Sequence, residues 1–175
     1  LYKILSTSHI SYIKWDMNRS MSEVYSSCHD HEHQGRVMHE YILGVYHLYD
    51  MLTTQFPHIL FESCASGGGR FDPGMLYYAP QCWASDNSDA IERLKIQYGT
   101  SYVYPLSSIG SHVSAIPNHQ VFRNTPLHTR ANVAYFGTFG YELDLNELSL
   151  KEREEVMQEV QFMKKYRSLF QFGTF

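Results

Sequence analysis

The chain has 175 residues, of which 43% are hydrophobic and 18% are charged, a composition typical of a folded globular protein rather than a disordered or fibrous one. Its 14 Lys and Arg against 18 Asp and Glu give a net charge of −4, which argues against a nucleic-acid-binding surface. No apolar run approaches the roughly 20 residues of a membrane-spanning helix, and the length falls short of the roughly 250 residues of a complete TIM barrel.

The first part of the chain alternates predicted strands with predicted helices. Aromatic and β-branched residues predict a strand over 11–16 that ends on an acid. Apolar residues at helical spacing predict an amphipathic helix over 36–54. A second strand is predicted over 58–62; it leads to a glycine turn at 67–69 and then to a short helix over 73–79.

The middle of the chain continues the alternation. A third strand is predicted over 81–85, and acidic residues then introduce a helix from about 88 to 98. The aromatic and β-branched run at 101–104 predicts a fourth strand, which leads into a loop over 107–120.

The last part of the chain carries two helix-start signals. Thr125-Pro126 predicts a helix start, with the Thr as capping residue and the Pro at the first helical position. A last strand is predicted over 132–139, and residues 149–152 match a capping box that opens a helix through about Tyr166. These roughly five strand–helix units predict an α/β fold in which helices cover a parallel sheet.

An Asp ends the first predicted strand and another directly follows the third, and the carboxyl ends of parallel strands are where α/β proteins collect their reactive groups. The first strand places Lys14 and Asp16 on one side, with Asn18 possible on the same face. A Lys beside a carboxylate keeps it ionised, as a nucleophile must be. Taken alone, the Lys14–Asp16 pair is more simply explained as a strand-end salt bridge.

The third strand ends near Asp86, so a second carboxylate lies at a second strand end. Two carboxylates at one rim are the minimum equipment for glycoside hydrolysis, provided that one stays ionised and the other holds a proton. The glycine run at 67–69 lacks the spacing of a phosphate-binding loop, and by itself predicts a tight turn.

The alternation of His29, His31 and His33 raises the alternative of a metal site. The segment matches no established zinc spacing and lies in a polar stretch before a helix, which favours a solvated loop. We therefore predict no metal site at these histidines.

Five segments together resemble a known family. Residues 12–19, 62–70 and 83–90 resemble the signatures of the microbial family 36 glycoside hydrolases, which are α-galactosidases. Residues 110–120 and 132–142 resemble later blocks of the same family, in the same order. The resemblance implies retaining hydrolysis of terminal α-galactosides, such as melibiose and raffinose, within a (β/α)8 catalytic domain. It implies no metal and no organic cofactor.

The resemblance also assigns roles to residues. Asp16 matches the nucleophile and Asp86 the general acid/base; Asp86 is preferred to the neighbouring Asp89, which we expect in the first helical turn. The positions that match substrate-binding residues are Lys14, Asn18, Cys64, Gly67, Gly68, Trp83 and Ser85.

The same resemblance implies that residues 1–175 are a partial catalytic domain, covering about strands 4–8 of a (β/α)8 TIM barrel. We expect the isolated chain to be inactive or barely folded, and the full-length protein to be a homotetramer that binds neither nucleic acid nor membrane. Three cysteines do not suit a disulfide framework, which favours a cytoplasmic location. Two alternatives stay open: a galactosyl-transferring relative of the raffinose or stachyose synthase type, and a non-catalytic sugar-binding fragment.

Overall fold

Two parallel strands form the centre of the first of two compact units, which spans Leu1–Pro80. The structure, a computed structural model, describes residues 1–18 and 21–174, so Arg19 of the first family-like segment lies outside it. The elements of this unit are α1 (Tyr2–Thr7), β1 (Tyr12–Asp16), a 3-10 helix (His31–Arg36), α2 (Val37–Gln55), β2 (Leu60–Cys64) and α3 (Pro73–Tyr78).

The core of the first unit fixes which side of β1 is free for chemistry. Tyr49 of α2 is buried, and its ring centroid lies 4.8 Å from that of Trp15 and 5.6 Å from that of Phe61. Ile13 packs against the same apolar cluster as Trp15. Because side chains alternate along a strand, Lys14 and Asp16 point to the other face, as the sequence predicts.

The second unit begins at Gln81 and has its own parallel pair. Its elements are β3 (Gln81–Cys82), α4 (Ala90–Ser101), a 3-10 helix (Leu106–Ser108), β4 (Gly110–Ser114), α5 (Leu127–Ala134), β5 (Thr138–Glu142) and α6 (Leu150–Phe172). β4 pairs with β5 from Gly110↔Thr138 to Ser114↔Glu142, and Cys82 forms a parallel bridge with Ile109. The predicted α/β class with parallel strands is confirmed.

Several predicted strand boundaries are wrong. The strand predicted over 101–104 does not form, because α4 continues through Ser101 and Val103 is left 73% exposed with no sheet to cover it. The predicted loop over 107–120 instead contains β4. The strand predicted over 132–139 is split, since α5 runs to Ala134 and β5 begins only at Thr138.

The other boundary differences are smaller. β2 starts two residues later than predicted and reaches Cys64, and β3 is limited to Gln81–Cys82. α5 begins at Leu127 with Pro126 as its N-cap residue and without a side-chain cap, so the predicted capping by Thr125 is wrong.

Helix α6 begins as its sequence predicts. The Ser149 hydroxyl accepts a hydrogen bond from the Glu152 N–H at 3.3 Å, and the Glu152 carboxylate accepts one from the Ser149 N–H at 2.8 Å. The helix continues to Phe172, past the predicted end at Tyr166. Among the described residues, no helix combines the length and apolar character needed to cross a membrane.

The buried face of α6 predicts a difference between two methionines of the same helix. Met163 is 1% exposed and belongs to the same buried apolar cluster as Val113 and Leu127, whereas Met157 is 60% exposed. We expect Met163→Ala to lower the free energy of unfolding by about 2–5 kcal/mol, because it leaves a cavity in the core. Met157→Ala should change it by less than about 0.5 kcal/mol. Urea unfolding of the full-length protein measures both, and equal losses would contradict this packing.

Candidate active site

The carboxyl ends of β1 and β2 bring the predicted nucleophile against the predicted substrate-binding thiol. Asp16 and Cys64 are the last residues of their strands and are directly paired in the parallel register. The Met17 N–H donates to the Cys64 carbonyl at 3.1 Å, so the pairing continues one residue past Asp16. The Cys64 thiol donates a hydrogen bond to the Asp16 carboxylate.

The surroundings of Asp16 favour its ionised form. Partial burial raises the pKa of this carboxyl, but hydrogen bonds from Cys64, Asn18 and the Met17 N–H lower it, and the charge of Lys14 lowers it further. The net result is a pKa below the ordinary value of an aspartic acid. Asp16 is exposed and ionised at neutral pH, as nucleophilic attack requires.

Lys14 is held by a carboxylate on the neighbouring strand. It is paired in register with Glu62 of β2, and its ammonium nitrogen lies 3.8 Å from a Glu62 carboxylate oxygen. Glu62 is buried and also accepts a hydrogen bond from the Tyr12 hydroxyl. The predicted Lys14–Asp16 pair is therefore part of a larger charge cluster that includes Glu62, which sequence reasoning did not select.

The turn after β2 joins Asn18 to the glycine run. The Asn18 side-chain oxygen accepts a hydrogen bond from the Ser66 N–H at 3.0 Å. Gly67 has a φ of 79°, in the left-handed region that a residue without a Cβ adopts readily, and its carbonyl accepts from the Ala65 N–H at 3.0 Å. Gly68 forms a bridge with Ala65. The predicted tight turn is confirmed, and it holds the side-chain amide of Asn18 beside Asp16.

Arg70 closes this turn and was not selected from the sequence. Its guanidinium is buried and donates to the Cys64 carbonyl at 2.6 Å and to the Trp15 carbonyl at 3.2 Å. One side chain thus holds the ends of both strands. Its position directly after the glycine run was the available signal, but its partners are backbone carbonyls that sequence patterns do not reveal.

The remaining predicted site residues lie in the second unit. Trp83 is buried; its ring centroid lies 4.7 Å from that of His112, and the Arg93 guanidinium carbon lies 4.2 Å from the indole. The Ser85 hydroxyl accepts from the Asn87 N–H at 3.1 Å, and the Ser85 carbonyl accepts from Arg93 at 3.0 Å. Arg93 and His112 are further residues that sequence reasoning did not select.

The two acids of the loop before α4 have different environments. Asp89 is 2% exposed and caps the helix, accepting hydrogen bonds from the Ile91 and Glu92 N–H groups at 3.1 Å each. It also accepts from Arg123. Asp86 is exposed. The carboxylate of Asp89 is therefore committed to the helix start, and that of Asp86 is accessible, which supports the preference for Asp86.

This set of strand ends, glycine turn and paired acids can be compared with known proteins. The sequence matches the melibiase family over residues 1–173. The chain belongs to the melibiase family.

Relatives within this family match almost the whole chain. The α-galactosidase AgaA of Geobacillus stearothermophilus is 58% identical over 172 residues, which are 98% of this chain and 24% of that protein. The α-galactosidase Mel36A of Lactobacillus acidophilus is 56% identical over 174 residues, 99% of this chain and 24% of that protein. A crystal structure of the GH36 α-galactosidase AgaA superimposes with a TM-score of 0.93 at 57% identity, over 98% of this chain and 24% of that chain. The chain thus spans about a quarter of the length of these relatives.

Two histidines of the segment at 29–33 have separate carboxylate partners in this melibiase-family chain. His29 contacts the Glu40 carboxylate at 2.6 Å and His33 contacts that of Asp30 at 2.5 Å, so two of the three histidines have carboxylate partners. Within residues 1–18 and 21–174, no group of three or more His, Cys, Asp or Glu side chains is placed to hold a metal ion.

The environment of Cys64 predicts a slowly reacting thiol. Burial and the hydrogen bond to Asp16 raise its pKa to about 11, so roughly one molecule in a thousand is a thiolate at about pH 8. We expect iodoacetamide to alkylate the exposed Cys28 at least roughly a hundredfold faster than the buried Cys64, as measured by peptide mass spectrometry.

Asp16→Asn provides the control, because the Asp16 carboxylate contributes to the high pKa of Cys64. This variant should increase alkylation of Cys64 and leave that of Cys28 unchanged. Equal rates at the two cysteines of the unaltered protein would contradict the described contact.

Proposed function

We propose that the full-length protein containing this chain is a retaining α-galactosidase that releases terminal galactose from α-galactosides such as melibiose and raffinose. The observation that carries the proposal is the exposed, ionised Asp16 carboxylate at the end of β1, with the Cys64 thiol and the Asn18 amide donating to it. A carboxylate in this state is suited to attack a sugar carbon and to leave again in a second step.

The relatives support this reaction and its substrates. Structures of AgaA are described in complex with raffinose and with stachyose. One of these AgaA variants has an aspartate replaced by asparagine and the other has an aspartate replaced by alanine. Those two aspartates lie the same number of residues apart in AgaA as Asp16 and Asp86 do in this chain.

Asp16 is the proposed nucleophile. In the first step its carboxylate oxygen attacks the anomeric carbon, the bond to the leaving-group oxygen breaks, and a galactosyl-enzyme ester forms. The hydrogen bonds from Cys64, Asn18 and the Met17 N–H hold the carboxylate in one orientation before attack. The nearby Lys14 charge, itself held by Glu62, stabilises the ionised state.

Asp86 is the proposed general acid and base. In the first step it gives a proton to the departing oxygen, and in the second it takes one from the water that hydrolyses the ester. Its accessibility supports this role, because its carboxylate is not committed to the helix cap as that of Asp89 is. These steps require two carboxylates, and no cofactor or metal enters the proposal.

The other predicted residues are proposed to contact the sugar. Lys14 and Asn18 flank the nucleophile and carry donors for sugar hydroxyls. The small side chains of Cys64, Gly67 and Gly68 leave room for a hydroxyl near the turn. Trp83 and Ser85 are proposed contacts on the acid/base side, where Trp83 lies buried against His112.

The chain is proposed to be part of a (β/α)8 catalytic domain, covering about strands 4–8 of the barrel. The parallel pairs β1–β2 and β4–β5, each associated with helices, support this arrangement. We also propose a cytoplasmic homotetramer. The cytoplasmic location is supported by the cysteines, all three of which are free thiols.

Three Asp→Asn variants test the assignments, with Asp89→Asn as the control. In the full-length protein, Asp16→Asn and Asp86→Asn should each lower melibiose turnover by roughly 10³-fold or more, since one removes the nucleophile and the other the acid/base. Asp89→Asn should lower the free energy of unfolding but change turnover by less than roughly tenfold, because Asn still caps a helix.

The stereochemistry and the acceptor complete the test. Proton NMR of the first released sugar should show α-galactose, and β-galactose would contradict the retaining mechanism. Incubation with raffinose and sucrose should give mainly free galactose. If galactosyl transfer is the dominant reaction, the proposal of a hydrolase is wrong and the transferase alternative is correct.

A further inference from the structure

Arg93 is a buried cation beside the segment that carries Asp86. It belongs to α4 and is 2% exposed. Its guanidinium donates to the Ser85 carbonyl at 3.0 Å and to the Gly110 carbonyl at 3.3 Å. The guanidinium carbon also lies 4.2 Å from the centre of the Trp83 ring. One planar group thus connects the residue before Asp86, the first residue of β4 and a proposed substrate contact.

The charges around Arg93 come from several elements. Asp86 lies in the loop before α4 and Glu142 at the end of β5, and both interact electrostatically with the guanidinium. His112 of β4 contacts two of the neighbouring groups: its Nδ1 is 3.8 Å from the Glu142 carboxylate and its ring packs on Trp83. Burial lowers the pKa of Arg93 to about 10, with Glu142 and Asp86 opposing that change, so it is cationic at neutral pH.

Burying a guanidinium costs desolvation free energy. Removing a charge from water offsets most of what its contacts contribute, so a buried ion is weak evidence for stabilisation as such. What the planar fork provides is geometry, since two donors aimed at two carbonyls fix the direction of both. The carbonyl of Ser85 begins the peptide unit that leads to Asp86, so fixing it limits where the Asp86 carboxylate can point.

We propose that Arg93 is a positioning residue that aims the Asp86 carboxyl at the departing glycosidic oxygen. It does so by donating to the Ser85 carbonyl while its guanidinium is itself held by the Trp83 ring and the Gly110 carbonyl. This inference rests on the proposed function of Asp86 as general acid. It assigns Arg93 no contact with the substrate.

Two kinds of substrate should depend differently on a correctly aimed Asp86. A sugar alcohol is a poor leaving group and needs a proton as the bond breaks, whereas 4-nitrophenolate leaves without that help. The value of kcat/KM covers the steps up to formation of the galactosyl-enzyme, so it reports the acid role alone. A misdirected Asp86 should therefore lower kcat/KM for melibiose much more than for 4-nitrophenyl α-galactoside.

The experiment measures kcat/KM of the full-length protein on both substrates, with folding checked by circular dichroism. We expect Arg93→Met to lower the value for melibiose by roughly 100-fold and that for the aryl galactoside by less than roughly tenfold. Arg93→Lys keeps the charge but loses the fork, and should shift the ratio of the two values in the same direction by a smaller factor.

Arg130→Met is the matched control, because Arg130 is also buried in the second unit and donates to the backbone carbonyls of Thr125 and Ser114. It should lower kcat/KM by the same factor for both substrates. Asp86→Asn is the reference for loss of the acid and should shift the ratio at least as far as Arg93→Met.

Equal losses on the two substrates in Arg93→Met would show a purely structural role and overturn the inference. If that variant does not fold, Arg93→Lys decides, and an unchanged ratio there overturns it. An unaltered protein that hydrolyses neither substrate, or an Asp86→Asn variant with an unchanged ratio, would overturn the proposed function instead. The two failures are thereby distinguished.

Discussion

The parallel pairing of β1 with β2 is the constraint on which the proposed nucleophile depends. It sets Asp16 beside Cys64 and Lys14 beside Glu62, so the Asp16 carboxylate meets a thiol donor and the Lys14 ammonium meets a carboxylate. Arg70 holds the carbonyls at the ends of both strands, which keeps this register where it is needed. A shift by one residue would turn Asp16 into the Tyr49 core and bring Trp15 out.

In the second unit, the carboxylates of the neighbouring acids Asp86 and Asp89 differ in accessibility. Asp89 meets the unsatisfied N–H groups at the start of α4 and the charge of Arg123. With those demands met by Asp89, Asp86 has no structural duty at the helix start. The helix cap and the proposed catalytic acid are thus different residues, three positions apart. The cap is buried, whereas the proposed acid is accessible.

Local signals predicted much of this architecture. The period of α2 and the capping box of α6 depend on residues a few positions apart, so the sequence alone revealed them. β4 was not predicted, because its Gly-Ser-His-Val-Ser run has little of the β-branched and aromatic character that marks strands. It forms through pairing with β5, whose residues lie 28 positions later in the chain. The run at 101–104 has that character but no partner strand. Asp16 and Asp86 were selected because they follow predicted strands, although β3 already ends at Cys82. Arg70 and Arg93 were not selected, because each donates to a carbonyl distant in sequence, 55 residues away for Arg70 and 17 for Arg93.

Gly110 shows how small a change the surroundings of Trp83 and Arg93 can tolerate. A Cβ built there would lie 2.8 Å from the Trp83 ring, closer than packed atoms approach. Even alanine would push the indole away, and the indole is the surface on which Arg93 rests. The side chain missing from the first residue of a strand therefore sets the position of an aromatic ring, and through it the proposed aim of a carboxyl group. Sequence variation at this strand start is therefore limited by the chemistry proposed for another loop.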